Sequence, residues 1–286
     1  MILTASNTRQ FLQCRRAYYC RHILKLAPRY VRPSLSIGRA FHKGNETGSI
    51  EEAMKSLDEF FPSSQEEANA LDIAKATVGA MLTGYWGRFP KQDILPEQKF
   101  KIELEDGITL RGVIDGLIPE DGYSNLLEIK TAGQINKTYI ERLELDHQVT
   151  FYFYATTVLG YNPRTVTYRM VRKPSIRPRK NETINAFCER LTADYLERPD
   201  FYFFEETLYR STDDLKEFEG EIFSIARDIR RAEEDHAWYR NTSRCSEWGG
   251  CEYLPLCRRV EGSEDLYVVK EPNPELEEGN EDGNAA

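Results

Sequence analysis

Three side chains near the middle of the chain have the types and spacing needed for phosphodiester hydrolysis. Glu128-Ile-Lys130 lies thirteen residues after Asp115, in the segment Gly112-Val-Ile-Asp115. Two carboxylates can hold a divalent metal ion, and a lysine beside them can act on water or on phosphate. A lone Glu-X-Lys is also common on ordinary strands, so the prediction depends on the surrounding elements.

Strands are the elements that would position these side chains. Residues 99–105 alternate between polar and apolar types and precede Asp106-Gly107, which indicates a strand and a turn. Residues 109–118 form the next predicted strand, and 126–131 form the third, giving an antiparallel meander. On the third strand Glu128 and Lys130 point to one face and Ile129 to the other. Asp115 on the neighbouring strand can reach the face of Glu128, and the Ile129 carbonyl could complete a Mg²⁺ or Mn²⁺ site.

Helices are predicted on both sides of this meander. Residues 8–26 form one, with Phe11, Leu12, Tyr18 and Tyr19 as anchors, and a second begins near Gly38. Apolar spacing predicts further helices over residues 51–88 (with Leu57, Phe60 and Phe61 packing), 143–159, 185–196 and 213–237, and a strand over 165–171. The pattern predicts an α/β (α+β) fold with a central mixed sheet flanked by helices.

Two of these helices carry further polar candidates. Gln148 and Tyr152 are four residues apart and share one helix face, so both could contact substrate near the metal. His42, on the helix that begins near Gly38, could add a metal ligand, although a lone histidine is more often structural.

The six cysteines suggest a second inorganic site. Cys245, Cys251 and Cys257 follow one another at six-residue intervals near the end of the chain, and Cys14 lies near its start. In a cytoplasmic protein such clustering suggests metal before disulfide. Four thiolates suit Zn²⁺ or an iron–sulfur cluster, and spacing alone leaves both open, together with free buried thiols.

Charge is distributed unevenly along the chain. The net charge is −9, and the stretch 271–286 holds six acids and no base, which is typical of disorder. Residues 162–180 hold seven bases and no acid, which favours phosphate contact over a merely solvated surface; Arg172, Lys173 and Arg177 are the predicted nucleic-acid contacts. No apolar run is long enough for a membrane span, and the start lacks signal-peptide features, so a cytoplasmic location is expected.

The ordered set Gly38-X-X-X-His42, Gly112-X-X-Asp115, Glu128-X-Lys130 and Gln148-X-X-X-Tyr152 resembles the PD-(D/E)XK nuclease superfamily, in particular its RecB-like branch. The opening Phe11-X-X-Cys14-X-X-X-Tyr18 is also similar. The likeness covers about residues 6 to 258. Ile114 stands where the superfamily name has proline. Many RecB-like members also lack that proline.

The resemblance implies a restriction-endonuclease-like core with helical elaborations and assigns roles to the candidates. His42, Asp115, Glu128 and the Ile129 carbonyl would hold Mg²⁺ or Mn²⁺, Lys130 would be catalytic, and Gln148 and Tyr152 would support substrate binding. AddB-type and CRISPR-associated relatives hold a [4Fe–4S] cluster, which implies Cys14, Cys245, Cys251 and Cys257 as ligands, with Cys20 as a rival to Cys14. The cluster is expected to tie the two ends of the fold together.

We therefore expect a nuclease domain over residues 1–262 and an acidic, disordered tail over 263–286. The expected activity is that of a divalent-metal-dependent DNA exonuclease on single strands or ends, in recombination, repair or processing, similar to stand-alone phage members. A silent DNA-end binding subunit of a repair or CRISPR-adaptation complex, and a structure-specific endonuclease, are the alternatives. DNA is the expected partner; a homo-oligomer or a repair protein is left open.

Overall fold

A mixed four-stranded sheet organises the chain. The computed structural model describes residues 1–29, 33–58, 62, 64–90, 93–246, 250–273 and 276, with 33–35 described as backbone only. The strands are β1 (Ile2–Leu3), β2 (Leu26–Pro28), β3 (Gln98–Glu103), β4 (Thr109–Ile114), β5 (Gly116–Glu120), β6 (Tyr123–Ala132), β7 (Val166–Arg172), β8 (Phe203–Leu208) and β9 (Tyr267–Val269). The order β5-β6-β7-β8 forms the main sheet, in which β6 and β7 are parallel and the other neighbours antiparallel.

Helices cover both faces of this sheet. They are α1 (Ala5–Gln13), α2 (Arg15–Tyr18), α3 (Pro33–Thr47), α4 (Ile50–Asp58), α5 (Gln65–Arg88), α6 (Lys137–Glu141), α7 (His147–Val158), α8 (Ile184–Glu197), α9 (Pro199–Tyr202), α10 (Thr212–Glu234) and α11 (Leu254–Cys257). One core packs α3, α5 and α8 against Leu127 and Ile129 of β6, and the other packs α7 and α10 against Leu126. The predicted α/β class with a mixed sheet flanked by helices is confirmed. The described residues include no helix that is both long and apolar enough to cross a membrane.

The predicted meander is divided between two sheets. The expected strand over residues 109–118 is wrong as one element, because the chain breaks at Asp115 into β4 and β5. β4 pairs with β1 and β3 in a separate three-stranded sheet, whereas β5 pairs with β6. The break places Asp115 at the junction of the two sheets, beside β6.

Two predicted helices are also interrupted. Cys14 adopts an extended conformation (φ −163°, ψ 108°), so the predicted helix over 8–26 divides into α1, α2 and a π-helix, Tyr19–Ile23, with β2 after it. Leu12, expected as an anchor, is 58% exposed. Asp146 breaks the predicted helix over 143–159, because its side chain accepts the Val149 N–H at 3.0 Å as the N-cap of α7. Phe60 and Phe61 lie outside the described residues.

The two ends of the chain are paired. β2 is antiparallel to β9, and the Lys270 N–H donates to the Lys25 carbonyl at 2.8 Å. The Tyr253 ring is fully buried and stacks on Tyr267, with 5.8 Å between centroids. Because β9 lies within the stretch expected to be a tail, we propose that the nuclease domain ends after Val269 rather than at residue 262. Residues 277–286 are outside the described part.

Close packing of α5 against α8 predicts opposite effects for two glycine substitutions. A Cβ at Gly84 would lie 2.8 Å from the Tyr195 Cβ, whereas a Cβ at Gly220, within α10, would meet nothing within 4 Å. Gly84→Ala should therefore lower the free energy of unfolding by about 1–3 kcal/mol through overpacking. Gly220→Ala should raise it by about 0.5–1 kcal/mol through helix propensity alone. Urea denaturation of both variants checks this, and equal effects would contradict the packing.

Candidate active site

Glu128 and Lys130 form a buried ion pair on β6. The Lys130 Nζ contacts the Glu128 Oε1, and the Glu128 side chain is 3% exposed. The Gln148 Nε2 donates to the same Oε1 at 2.9 Å from the first turn of α7. Glu128 Oε2 is buried and has no hydrogen-bond partner among the described residues. Both residues therefore face α7, on the side opposite Ile129, as strand alternation predicts.

Asp115 is held from two directions. Its Oδ2 accepts the backbone N–H of Ile129 at 2.8 Å, and its Oδ1 lies 3.2 Å from the Nδ1 of His42 on α3. A side chain at Gly38, one turn before His42, would approach the Thr131 hydroxyl at 3.0 Å, so glycine lets α3 lie close to β6. These contacts join the sheet junction to α3 and β6.

Tyr152 lies one turn after Gln148 on α7 and packs edge-on against Phe100, with 6.1 Å between ring centroids. A Cβ at Gly112 would lie 2.7 Å from the Phe100 ring and 3.1 Å from the Tyr152 ring. Glycine at this position therefore allows Tyr152 to pack beside β4. Burial raises the pKa of Tyr152, and the Glu128 charge adds to it, so the phenol is a hydrogen-bond donor at neutral pH.

The two carboxylates titrate very differently. Burial raises the pKa of Glu128 to about 7 and outweighs the opposing Lys130 charge. Burial would also raise the pKa of Asp115, but His42, Lys130 and the Ile129 N–H together lower it. At neutral pH Asp115 is ionised, whereas Glu128 exchanges its proton.

The two basic groups of the site both have raised pKa values. Burial lowers the pKa of Lys130, but Glu128 and Asp115 outweigh burial and raise it above its ordinary value. The pKa of His42 is likewise raised, because Asp115 outweighs the effect of burial. Lys130 therefore suits charge stabilisation or orientation of water, not removal of a proton.

The donor types suit a hard divalent cation. Carboxylate oxygens, an imidazole and the unpartnered Glu128 Oε2 are ligands that Mg²⁺ and Mn²⁺ accept. The described residues contain no group of three or more His, Cys, Asp or Glu side chains close enough to hold one metal ion. His42 instead contacts Asp115, and Glu128 contacts Lys130, so a cation would have to replace the His42–Asp115 contact.

The predicted cysteines meet around one cavity. Cys14, Cys245, Cys251 and Cys257 all line a space of about 300 Å³ at the junction of α1 and the C-terminal segment. The Cys14 Sγ accepts the Asn241 backbone N–H at 3.4 Å. Cys20 is 4% exposed and packs beside this cavity against Tyr253, while Cys188 lies apart on α8.

The basic stretch over 162–180 is partly interior. The Arg172 Nη2 donates to the Ile135 carbonyl at 3.0 Å, and its guanidinium lies over the Phe201 ring at 4.3 Å. Arg172 is therefore a packing residue, which sequence could not reveal because its partners are remote in the chain. Lys173 is half-buried, and burial lowers its pKa; Arg177 is exposed.

A second cavity beside Asp115 was not anticipated from sequence. It measures about 590 Å³ and is lined by aromatic residues at the end of α5, by acids of α3 and of the segment before β3, and by Arg169 of β7. Glu97 is one of these acids, and burial, then Glu46 and Asp115, raise its pKa. No local motif unites these residues, since they come from separate elements.

A family model described as the PD-(D/E)XK nuclease superfamily matches residues 2–258 of the chain. The match covers α1 through α11 and includes every candidate residue described above. No curated protein matched the chain.

Protonation of Glu128 should compete with metal binding. Because the pKa of Glu128 is about 7, this carboxyl must release its proton before it can bind a cation, so affinity is expected to rise with pH. The apparent Kd for Mn²⁺ should fall by up to about tenfold per unit between pH 5.5 and 7 and level off above about pH 8. Isothermal titration calorimetry measures this, with Asp115→Ala as the control that should lack the site. A Kd independent of pH would contradict the assignment.

Proposed function

The chain belongs to the PD-(D/E)XK nuclease superfamily, and we propose that it is a RecB-like exonuclease acting on single-stranded DNA or DNA ends. Membership makes it a metal-dependent phosphodiester hydrolase with DNA as substrate. The observation that carries the proposal is the clustering of Asp115, Glu128 and Lys130 at β6, with one buried Glu128 oxygen that has no hydrogen-bond partner among the described residues.

His42, Asp115, Glu128 and the Ile129 carbonyl are proposed to hold Mg²⁺ or Mn²⁺, which polarises a phosphoryl oxygen and lowers the pKa of bound water. The Ile129 N–H and the Gln148 amide fix the orientation of the two carboxylates. Lys130, kept cationic by Glu128 and Asp115, stabilises the negative charge that accumulates on the phosphate. Tyr152 donates a hydrogen bond to substrate beside Gln148.

DNA contact outside the site is proposed for Lys173 and Arg177. Both follow β7 and lie beyond the packed Arg172, and a cation there would attract the phosphate backbone. Recombination, repair or DNA processing is the proposed setting, with a repair protein or a second copy of the chain as the candidate partner.

The Cys14, Cys245, Cys251 and Cys257 cavity is proposed to hold a [4Fe–4S] cluster with a structural role. Four thiols around a space of about 300 Å³, with Arg240 and Arg244 also on its wall, suit an anionic inorganic core. Such a cluster would tie α1 to the C-terminal segment and so restrict the unfolded chain.

Removal of the Lys130 charge tests the catalytic proposal. Lys130→Ala should reduce the rate of hydrolysis of linear single-stranded DNA in Mg²⁺ by about 10²–10³-fold, because a preorganised cation is lost. Lys137→Ala is the matched control, since Lys137 is 89% exposed and, among the described residues, forms an ion pair with Glu141 on α6. Gel analysis of end-labelled DNA gives the rates; equal rates for the two variants would refute the role.

Closed circular DNA separates the proposed activity from its rivals. The wild-type protein should degrade linear DNA from its ends and leave a supercoiled plasmid intact. Nicking of the plasmid would instead indicate an endonuclease, and DNA binding without hydrolysis in either metal would indicate a silent binding subunit.

Replacement of one cysteine tests the cluster. Cys251→Ser should abolish the brown colour of anaerobically purified protein and lower stability. A loss of about 3 kcal/mol would lower the thermal midpoint by about 6–12 °C in a chain of this size. Cys188→Ser is the control, because Cys188 is on α8, away from the cavity. Colourless wild-type protein, or a Cys251→Ser variant with unchanged iron content, would contradict the proposed cluster.

A further inference from the structure

The cavity of about 590 Å³ beside Asp115 is lined by residues other than Lys130 and Gln148, which contact Glu128. It opens between the ends of α3 and α5 and the segment that leads into β3. Asp115 belongs to its wall, so the cavity and the proposed site of hydrolysis share this residue. Its volume lies within the range of small-ligand pockets.

Flat aromatic surface dominates one side of this cavity. Tyr85, Trp86 and Phe89 follow one another over the last turn of α5, and Trp86 and Phe89 are only half-buried. Exposed indole and phenyl groups beside a nuclease site provide faces on which a planar ring can stack.

The floor of the cavity is rigid. The Arg169 guanidinium lies over the Phe89 ring at 4.2 Å, its Nε donates to the Glu205 carboxylate at 2.7 Å, and its Nη1 donates to the Tyr85 hydroxyl at 3.4 Å. Arg169 is 4% exposed, so it holds the aromatic rings in place. Preorganised aromatic groups bind a ring with little loss of side-chain freedom.

Charge on the remaining wall selects against phosphate. Glu46, Glu97 and Asp115 line the cavity, while the Arg169 cation is already paired with Glu205. Away from Asp115, the Glu46 and Glu97 carboxyls disfavour a phosphate but tolerate an uncharged ring with polar edges. The Glu97 carboxyl and the Asn45 amide can hydrogen-bond to such edges.

We propose that this cavity receives one unpaired nucleobase of the DNA strand being cut, stacked on Trp86 and Phe89, while the adjoining phosphate lies at Asp115. This inference rests on the proposed nuclease function and deepens it. A base within a duplex is paired and stacked, so it enters only from a single strand or a frayed end. The cavity thus selects single-stranded substrate.

Single-stranded oligonucleotides test the cavity. Binding is measured with Lys130→Ala protein in Mg²⁺. In each oligonucleotide a different nucleotide is replaced, in one series by 2-aminopurine and in another by an abasic residue. At one position the 2-aminopurine fluorescence should be quenched on binding, and the abasic residue should weaken binding about tenfold. Both effects should disappear when Trp86→Ala is added and return with Trp86→Phe, which keeps a stacking face.

Tyr209→Ala is the matched control, because Tyr209 is a 68% exposed aromatic that is absent from the cavity wall. That variant should retain both effects. Quenching at no position, or quenching that survives both Trp86→Ala and Phe89→Ala, overturns the inference. Folding of each variant is checked by its circular dichroism. If Phe89→Ala fails to fold, Phe89→Leu is used in its place.

Failure of this inference is distinguishable from failure of the proposed function. If the wild-type protein cuts DNA, but oligonucleotides with an abasic residue bind as tightly as unmodified ones, only the base cavity is refuted. If the wild-type protein binds and quenches 2-aminopurine without hydrolysis, the cavity stands and the nuclease activity is refuted.

Discussion

The hydrogen bond from Ile129 and the ion-pair contact with His42 make Asp115 the residue that joins the parts on which the site depends. One carboxylate accepts from β6 and contacts α3, and it lies where the chain leaves one sheet for another. A buried carboxylate is unfavourable unless it is paired, so these contacts keep Asp115 ionised at the junction. This one side chain therefore links α3 to β6 at the break between β4 and β5.

Burial disfavours the charged forms of these side chains, and the same burial sets their pKa values. Glu128 has little access to water, and its proton therefore leaves only near neutrality, while Asp115 stays ionised beside it. Lys130 contacts one Glu128 oxygen, and the other has no hydrogen-bond partner in the part of the chain that the structure describes. Low local dielectric strengthens each of these interactions, which is why a small number of side chains can determine how the site responds to a cation.

Sequence periodicity predicted what depends on local geometry. Glu128 and Lys130 share a face because side chains alternate along β6, and Gln148 reaches Glu128 because helix spacing fixes the turn of α7. The division of the meander at Asp115, the packing of Arg172 over Phe201 and the extended backbone at Cys14 depend on contacts between distant segments. No short stretch of sequence contains both partners of such contacts, so local sequence patterns do not predict these features.

The pairing of β2 with β9 has a consequence for biosynthesis. β2 emerges from the ribosome early, but its partner strand and the buried Tyr253 are translated more than 200 residues later. The amino-terminal segment cannot complete its hydrogen bonding until β9 has been made, and closing so long a loop is slow. The pairing of the two segments is thus a late event, and until it occurs Cys14 is separated from the cysteines that line the same cavity from the C-terminal segment.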